Sequence, residues 1–186
     1  MEIHFVPAST REQLARIKEI YEEAFPENEK KPFSMLVEGQ KKGLIELLAA
    51  EDGPAGSGCL VGEAILSLHE DVVLLEYFAV AESFRGRGAG SRMLQSLRER
   101  YRGKRLILEI ESTGVESENR EQRLARKRFY ERNGMNCLDY SVSVMGVEME
   151  MLSFGSSVGY EEYHAVYEKV YGAEFGAHIR PAEEIR

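Results

Sequence analysis

The sequence is poor in the features that mark several specialised classes of protein. Its 186 residues include only two cysteines, Cys59 and Cys137, which are too few for a disulfide framework and lack the spacing of metal ligands. The four histidines are scattered and do not have metal-binding spacing either. No window approaches the run of about 18 apolar residues that indicates a membrane-spanning helix. Residues 1–10 lack the basic start and apolar core of a signal peptide. These absences predict a cytoplasmic protein with no bound metal and no membrane partner.

Positive charge is also scarce. The chain has 24 Lys and Arg against 32 Asp and Glu, a net charge of −8, and this acidic balance argues against a general nucleic-acid binder. The length corresponds to about one domain, and a chain of this length buries enough surface to fold without a metal or a disulfide. We therefore expect one globular domain.

The positive charge that is present is concentrated in one stretch. Residues 82–105 contain eight basic and two acidic residues, a local balance of +6 in an acidic chain. Such an island indicates an anionic ligand bound nearby, and the alternative is a solvated helix face. The eight basic residues are Arg85, Arg87, Arg92, Arg98, Arg100, Arg102, Lys104 and Arg105.

Hydrophobic periodicity predicts strands and helices in a mixed order. Strand patterns cover residues 3–6, 44–50, 59–68, 72–80, 105–111, 138–144 and 147–154. Helical spacing covers residues 14–25, 120–133 and 160–171, with a further helix between Gly90 and Gly103. Residues 51–58 are dense in turn formers and predict a loop. One strand–helix–strand–helix unit followed by a strand pair is typical of an α/β or α+β sheet domain and not of a full doubly wound fold.

A glycine-rich loop between strand 72–80 and the next helix is the strongest functional signal. The run Arg85-Gly-Arg-Gly-Ala-Gly90 leads into a helix whose N-terminal N–H groups and partial positive charge suit a phosphate. It is not a Walker loop, because no Gly-Lys-Ser/Thr follows. It approaches a dinucleotide fingerprint, although Ser91 stands at the third glycine position and five residues separate the strand from Gly86. A glycine turn that binds no ligand is the remaining alternative.

This loop and a later segment resemble the landmarks of the GNAT N-acetyltransferase superfamily. The acetyl-CoA motif of that family reads Arg/Gln-x-x-Gly-x-Gly/Ala after a strand, and Arg85, Gly88 and Gly90 occupy its defined positions. The run Arg128-Phe-Tyr-Glu-Arg-Asn-Gly-Met135 resembles the second landmark, an aromatic pair before a glycine and an apolar residue. One position departs from the family, because Arg123 stands where many members carry an asparagine.

The resemblance implies a fold and a division of the chain. The implied fold is a GNAT-like mixed α/β domain, with a mostly antiparallel sheet flanked by helices and an extra C-terminal helix. The acetyltransferase domain would cover residues 1–154. Residues 155–186 would form the C-terminal helix and tail, whose tyrosine stripe would pack on the same domain or on the partner in a homodimer.

The resemblance also implies acetyl-CoA as cofactor and assigns residues to it. Main-chain groups at the end of the strand would hold the thioester and the pantetheine arm: Phe78, Ala79 and Val80. Backbone N–H groups of the loop would hold the pyrophosphate: Arg85, Gly86, Arg87, Gly88, Ala89, Gly90 and Ser91. The basic island then has a partner, because coenzyme A carries three phosphate groups.

The catalytic residues implied by the resemblance are one tyrosine and a carboxylate. Tyr130 resembles the family's tyrosine near the cofactor sulfur, and a phenol with a pKa of about 10 keeps its proton at neutral pH and can protonate a leaving thiolate. A carboxylate near the central strands would take a proton from the substrate ammonium, and the candidates are Glu76, Glu109 and Glu111. The alternatives are an aromatic that only packs and carboxylates that only form salt bridges.

The function implied is acetyl transfer from acetyl-CoA to a primary amine by direct attack. The acceptor would be a small molecule or a peptide, and the acidic chain favours a cationic one. The alternative is an inactive GNAT-like module that binds an acyl-CoA or a protein. A Gly-x-Ser-x-Gly match around Ser157 suggests a hydrolase nucleophile, but only 29 residues follow it, too few for the rest of that fold.

Overall fold

The chain divides into two compact units. A computed structural model describes residues 2–53 and 58–182. The first unit comprises Met1–Leu68 and Leu75–Arg102, and the second comprises His69–Leu74 and Gly103–Arg186. Residues 54–57 of the predicted loop and residues 183–186 of the predicted tail lie outside the described residues.

The first unit is a set of strands with three helices. Its elements are β1 (Ile3–Pro7), α1 (Arg11–Ala24), α2 (Phe33–Lys41), β2 (Ile45–Asp52), β3 (Cys59–His69), the larger part of β4 (Val72–Val80) and α3 (Ala89–Arg100). The strands β1, β2 and β3 pair antiparallel in sequence order. Helix α1 begins at a capping box in which the Thr10 hydroxyl and the Gln13 side chain each accept a backbone N–H of the other residue.

Helices lie on both faces of β2 and β3. Ile45 lies against α2, because a Cβ added to Gly39 would be 2.5 Å from Ile45 Cδ1. Gly62 lies against α3, because a Cβ there would be 2.7 Å from Met93 Cε. Gly62 pairs with Ala50, five residues from Ile45, so the two contacts lie on opposite faces of the strands.

The second unit continues from the start of β4. Its elements are β5 (Arg105–Glu111), α4 (Arg120–Arg132), β6 (Asn136–Val144), β7 (Val147–Ser153), α5 (Tyr160–Tyr171), α6 (Ala173–Gly176) and β8 (Ile179–Pro181). The first residues of β4 pair parallel with β5, and the pairs β5–β7, β7–β6 and β6–β8 are antiparallel. Its buried core contains Val72, Leu74, Ile107, Val142, Met151, Tyr163, Val166, Tyr167 and Ile179.

The predicted fold class is confirmed. Within residues 2–53 and 58–182 there are eight strands in the hydrogen-bonded order β1-β2-β3-β4-β5-β7-β6-β8 and six helices. Of the strand pairs described above, β4–β5 is parallel and the others are antiparallel. The predicted bounds of β4, β5 and α5 coincide with the structure. Strand β2 extends to Asp52, into the predicted loop, and β8 and α6 were not predicted. In the described part of the chain, every helix is too short or too polar to cross a membrane.

Candidate functional site

The glycine loop follows β4 in the first unit and is shaped by two left-handed residues. Strand β4 ends at Val80, a short 3-10 turn follows, and Gly86 and Gly88 have φ angles of 74° and 77°. These angles favour glycine because a Cβ is strained there. A Cβ added at either position would meet no described atom within 4 Å. The positive φ angles, and not crowding, therefore explain why glycine occupies both positions. The space beside each Cα atom is open.

The loop ends at the N-terminus of α3. Gly88 is the N-cap residue, and within the described residues no side chain caps this end of the helix. The first N–H groups of a helix have no acceptor inside it and carry partial positive charge. The first turn contains no acidic residue that would offset that charge. The exposed loop 85–88 thus presents N–H donors that suit an anion.

Arg85 fastens the loop to the rest of the first unit. Its Nε donates to the carbonyl of Val80 at 3.0 Å, and its Nη2 lies 3.3 Å from Glu23 Oε1 on α1. Both side chains of the ion pair are about half exposed, so the pair adds little to stability. The contact to Val80 instead sets the position of the loop relative to the end of the strand.

The end of β4 lies very close to β3. The backbone N–H of Ala81 donates to the Val61 carbonyl at 2.8 Å. A Cβ on Gly62 would lie 2.3 Å from the Ala79 carbonyl oxygen, so only glycine fits at that position. The Ala79 side chain is buried, whereas Phe78 and Val80 are half-buried.

The Glu76 side chain is buried, and its carboxylate binds Lys31 and Ser67. Its Oε2 lies 2.6 Å from the Lys31 ammonium, and its Oε1 accepts a hydrogen bond from the Ser67 hydroxyl. The exposed fraction of the side chain is 2% for Glu76 and 14% for Lys31. The ammonium therefore compensates the charge of this carboxylate in a largely dry environment.

Two tyrosines hold the backbone around Lys31. The Lys31 N–H donates to the Tyr77 hydroxyl at 3.1 Å, and that hydroxyl donates to the Glu29 carbonyl at 3.0 Å. The Tyr21 hydroxyl donates to the Lys31 carbonyl at 2.9 Å, and burial raises the pKa of Tyr21. The rings of Tyr21 and Tyr77 meet edge to face at 4.8 Å, and Phe25 lies 5.0 Å from Tyr77.

Glu63 on β3 is a buried carboxyl group without a hydrogen-bond partner among the described residues. It pairs with Ala49 and therefore lies on the face of Ile45 and α2. Burial raises its pKa to about 8, because an apolar environment disfavours the charged form. Glu63 was not among the predicted site residues, although it is the single acid inside the apolar run of β3.

In the second unit, Glu109 binds the C-terminal helix. Its Oε1 accepts a hydrogen bond of 2.7 Å from the Tyr167 hydroxyl, and its Oε2 accepts one from Tyr163. Both tyrosines are fully buried. Two tyrosines of the α5 stripe thus pack within the second unit, where they donate to a half-buried carboxylate.

Glu111 binds helix α4 instead. Its Oε1 lies 2.7 Å from Arg123 Nη2, and its Oε2 lies 3.5 Å from Arg126 Nη1. Arg123 also donates to the Asn119 side chain at 2.8 Å and to the Ser112 carbonyl at 3.1 Å. Arg123, at the position where many family members carry an asparagine, therefore binds residues of the chain itself. These contacts were not predicted, because Ser112 and Glu111 lie 11 and 12 residues before Arg123 in the sequence.

Tyr130 is the buried residue of α4. Burial raises its pKa to about 12, against a weaker opposing effect of Arg126. The hydroxyl therefore keeps its proton at every physiological pH. The neighbouring ring of Phe129 meets it edge to face at 5.1 Å, and the helix ends two residues later at Arg132.

The predicted site residues are divided between the two units. The first unit contains Glu76 and the predicted cofactor residues 78–80 and 85–91, and the second contains Glu109, Glu111 and Tyr130. On β4, Glu76 precedes Phe78 by two residues and shares its face. Glu109 and Glu111 also share a face of β5, but they bind different helices.

A family model and solved structures match the chain. Residues 44–134, from the start of β2 to the end of α4, match the model of the acetyltransferase (GNAT) domain. A GNAT-family acetyltransferase from Bacteroides thetaiotaomicron is similar in structure, with a TM-score of 0.74 and 21% identity over 93% of this chain and 98% of that one. No curated protein sequence matches the chain.

Two other similar structures are acetyltransferases with different acceptors in their names. An aminoglycoside 6'-N-acetyltransferase complexed with coenzyme A has a TM-score of 0.61 and 15% identity over 82% of this chain and 96% of that one. The ribosomal-protein-S18-alanine N-acetyltransferase from Escherichia coli has a TM-score of 0.58 and 18% identity over 85% and 97%. At these identities the likeness shows the fold alone.

Proposed function

We infer that the chain is a member of the GNAT acetyltransferase superfamily, and from this premise we propose that it transfers an acetyl group from acetyl-CoA to a primary amine. The observation that carries the proposal is the glycine loop, which leads from the end of β4 directly into the uncapped N-terminus of α3. Left-handed glycines, open space and a helix N-terminus together favour binding of a pyrophosphate. Residues 82–105 contain eight basic and two acidic residues, and this local positive charge favours an anionic cofactor.

The cofactor supplies the acetyl group as a thioester, and residues of the first unit hold it in this proposal. Backbone N–H groups of residues 85–91 bind the pyrophosphate. Main-chain groups of residues 78–80 bind the pantetheine arm and polarise the thioester carbonyl. The acceptor amine attacks that carbonyl directly, without a covalent enzyme intermediate.

We assign the two proton transfers to Glu76 and Tyr130. A protonated amine is not nucleophilic, so a carboxylate must first remove a proton. Glu76 is favoured because it is buried, lies two residues before Phe78 and already binds an ammonium group. Tyr130 donates a proton to the leaving thiolate, which its high pKa permits.

Glu109 and Glu111 have positioning roles in this proposal. Glu109 already accepts two tyrosine hydroxyls, and Glu111 already accepts two arginines and an asparagine. Removal of Glu109 would take an acceptor from two fully buried hydroxyls, and removal of Glu111 would break the ion pair with Arg123. The cytoplasmic location, the homodimer and the domain boundary at residue 154 stay predictions.

Calorimetric titration tests the proposal first. We expect acetyl-CoA to bind saturably and NADH not to bind. A panel of primary amines, followed by release of the free thiol, would then identify acceptors. The panel should span cationic small molecules, amino acids and peptides, because the acidic chain favours a cationic acceptor.

The outcomes separate the two functional hypotheses. Turnover of an amine supports the transferase. Binding of acetyl-CoA without turnover of any amine favours the inactive acyl-CoA-binding module, for which the intramolecular partners of Glu76, Glu109 and Glu111 are the structural argument. Failure of folded protein to bind acetyl-CoA would overturn both.

A further inference from the structure

The side-chain ammonium of Lys31 is bound in the way that an amine acceptor would be bound. It lies 2.6 Å from Glu76 Oε2 and 5.4 Å from the centroid of the Tyr77 ring. A carboxylate combined with an aromatic face is a recognised setting for alkylammonium groups. These two contacts are made by neighbouring residues of β4, so one short segment of that strand provides the ammonium site.

The site is held in place from several sides. The Ser67 hydroxyl donates to the second oxygen of Glu76, which orients the carboxylate. The backbone of Lys31 is fixed by Tyr21 and Tyr77, through its carbonyl and its N–H respectively. Lys31 is therefore held in place by its backbone hydrogen bonds as well as by the ion pair with Glu76, and its side chain is largely buried.

The same strand carries the segment assigned to the thioester. Phe78 lies two residues beyond Glu76, a distance of about 6.6 Å along a strand, and the two side chains share a face. Lys31 Nζ thus binds a side chain on the same face of β4 as Phe78, whose main chain the proposed function gives to the acetyl donor.

From this arrangement we propose that Lys31 is an intramolecular acceptor and that the chain acetylates its own Nζ. The inference rests on the proposed function and deepens it, because it names one specific acceptor, a lysine of the chain itself. The acetylated residue would no longer carry the charge that binds Glu76.

The step balances as an ordinary acyl transfer. The Lys31 ammonium gives one proton to Glu76, which later releases it to solvent. The Nζ lone pair attacks the thioester carbonyl, a C–N bond forms, and the C–S bond breaks. The second proton lost by nitrogen is balanced by the proton that the leaving thiolate takes up, so the products are N-acetyl-lysine, free coenzyme A and one proton. No oxidant or reductant is required.

Site-resolved mass spectrometry of the full chain incubated with acetyl-CoA tests the inference. Non-specific chemical acetylation favours accessible amines such as Lys41 and Lys42, whose side chains are 71% and 61% exposed. Lys30 is the matched control, because its side chain is 13% exposed and its carboxylate partner lies on the surface. We expect Lys31 to be acetylated at least about tenfold faster than these three lysines.

Two variants make the test specific. Glu76→Gln removes the proton acceptor with little change of shape, and acetylation of Lys31 should fall about a hundredfold or more. Lys31→Arg keeps a cation beside Glu76 but offers no amine, so the acetylated peptide should disappear while acetyl-CoA still binds. Circular dichroism and the acetyl-CoA titration identify a variant that has failed to fold. In that case the inference is judged on the unaltered chain, from the rate of acetylation of Lys31 relative to the three control lysines.

Each outcome of the mass spectrometry either supports or overturns the acetylation of Lys31. Selective acetylation of Lys31 that depends on Glu76 supports the inference. Unmodified Lys31, or modification no faster than at Lys30, Lys41 and Lys42, overturns it. Turnover of an added amine beside unmodified Lys31 overturns the inference alone, whereas absence of acetyl-CoA binding overturns it together with the proposed function.

Discussion

The Tyr167 hydroxyl donates a hydrogen bond of 2.7 Å to Glu109 Oε1, across 58 residues of sequence. The bond joins α5 to β5 inside the core of the second unit, and Tyr163 occupies the other carboxylate oxygen. A carboxylate that accepts two buried hydroxyls is satisfied only while the helix is in place. Glu109 therefore couples the C-terminal helix to a strand within the residues that match the acetyltransferase domain.

Tyr167→Phe should lower the free energy of unfolding by about 1–3 kcal/mol, because the half-buried Glu109 carboxylate loses a fully buried donor. Urea denaturation followed by circular dichroism measures the change. Tyr140→Phe is the matched control in the same unit, since the Tyr140 hydroxyl is buried without a partner among the described residues. Equal destabilisation by the two substitutions would contradict the role assigned to Glu109.

Glu63 should make the stability of the protein depend on pH. Its pKa is raised from an ordinary value of 4.5 to about 8 in the folded state. Between these values the folded protein keeps a proton that the unfolded chain has lost, so the free energy of unfolding falls as the pH rises and levels off above about 8. The loss is on the order of a few kcal/mol.

Denaturation curves from pH 4 to pH 9 test this dependence (a range of about five units around both pKa values). Glu63→Gln should flatten the curve of stability against pH, because the amide does not titrate. Glu19→Gln, at an exposed position of α1, should leave the curve unchanged. An unaltered slope in Glu63→Gln would show that the carboxyl group does not hold its proton in the folded protein.

Gly88→Ala should weaken acetyl-CoA binding about tenfold, because a left-handed alanine costs about 1–2 kcal/mol and shifts the loop away from its binding geometry. Gly103→Ala is the control, since Gly103 also has a positive φ and open space around its Cα but lies beyond α3. Calorimetry should find weaker binding for Gly88→Ala alone. Comparable weakening by both variants would assign the effect to general strain.

Tyr130→Phe should lower kcat by about a hundredfold or more and leave the affinity for acetyl-CoA unchanged, because only the proton donor is lost. Since the pKa of Tyr130 is about 12, the rate should not fall through its ionisation as the pH rises to 10, about two units below that value. Tyr140→Phe again provides a comparison at a tyrosine without an assigned role. If Tyr130→Phe released the thiol as fast as the unaltered chain, Tyr130 would have no role as proton donor and would only pack.

The fold was predictable where local patterns decide it. Strand β4 and helix α5 begin and end as the apolar periodicity indicates. Helix α3 begins at Ala89, one residue before its predicted start at Gly90. Strand β8 could not be predicted, because its three residues have no periodic pattern and form a strand only by pairing with β6.

The partners of the candidate carboxylates were much less predictable. Glu109 and Glu111 share a face of one strand, yet their partners lie 54 and 58 residues away in the first case and 8 to 15 residues away in the second. Glu76 binds Lys31, which lies 45 residues earlier in the sequence. Such pairs depend on how helices pack on the sheet, which strand and helix periodicity does not specify.

Strand β8 has a consequence for solubility. It pairs with the last three residues of β6, Val142–Val144, whose backbone N–H and C=O groups would otherwise be available to pair with the strand of another molecule. Because β8 is short and contains Arg180 and Pro181, it is itself a poor template for further strand addition. A chain shortened before Ile179 should consequently polymerise edge to edge even if its core remains folded.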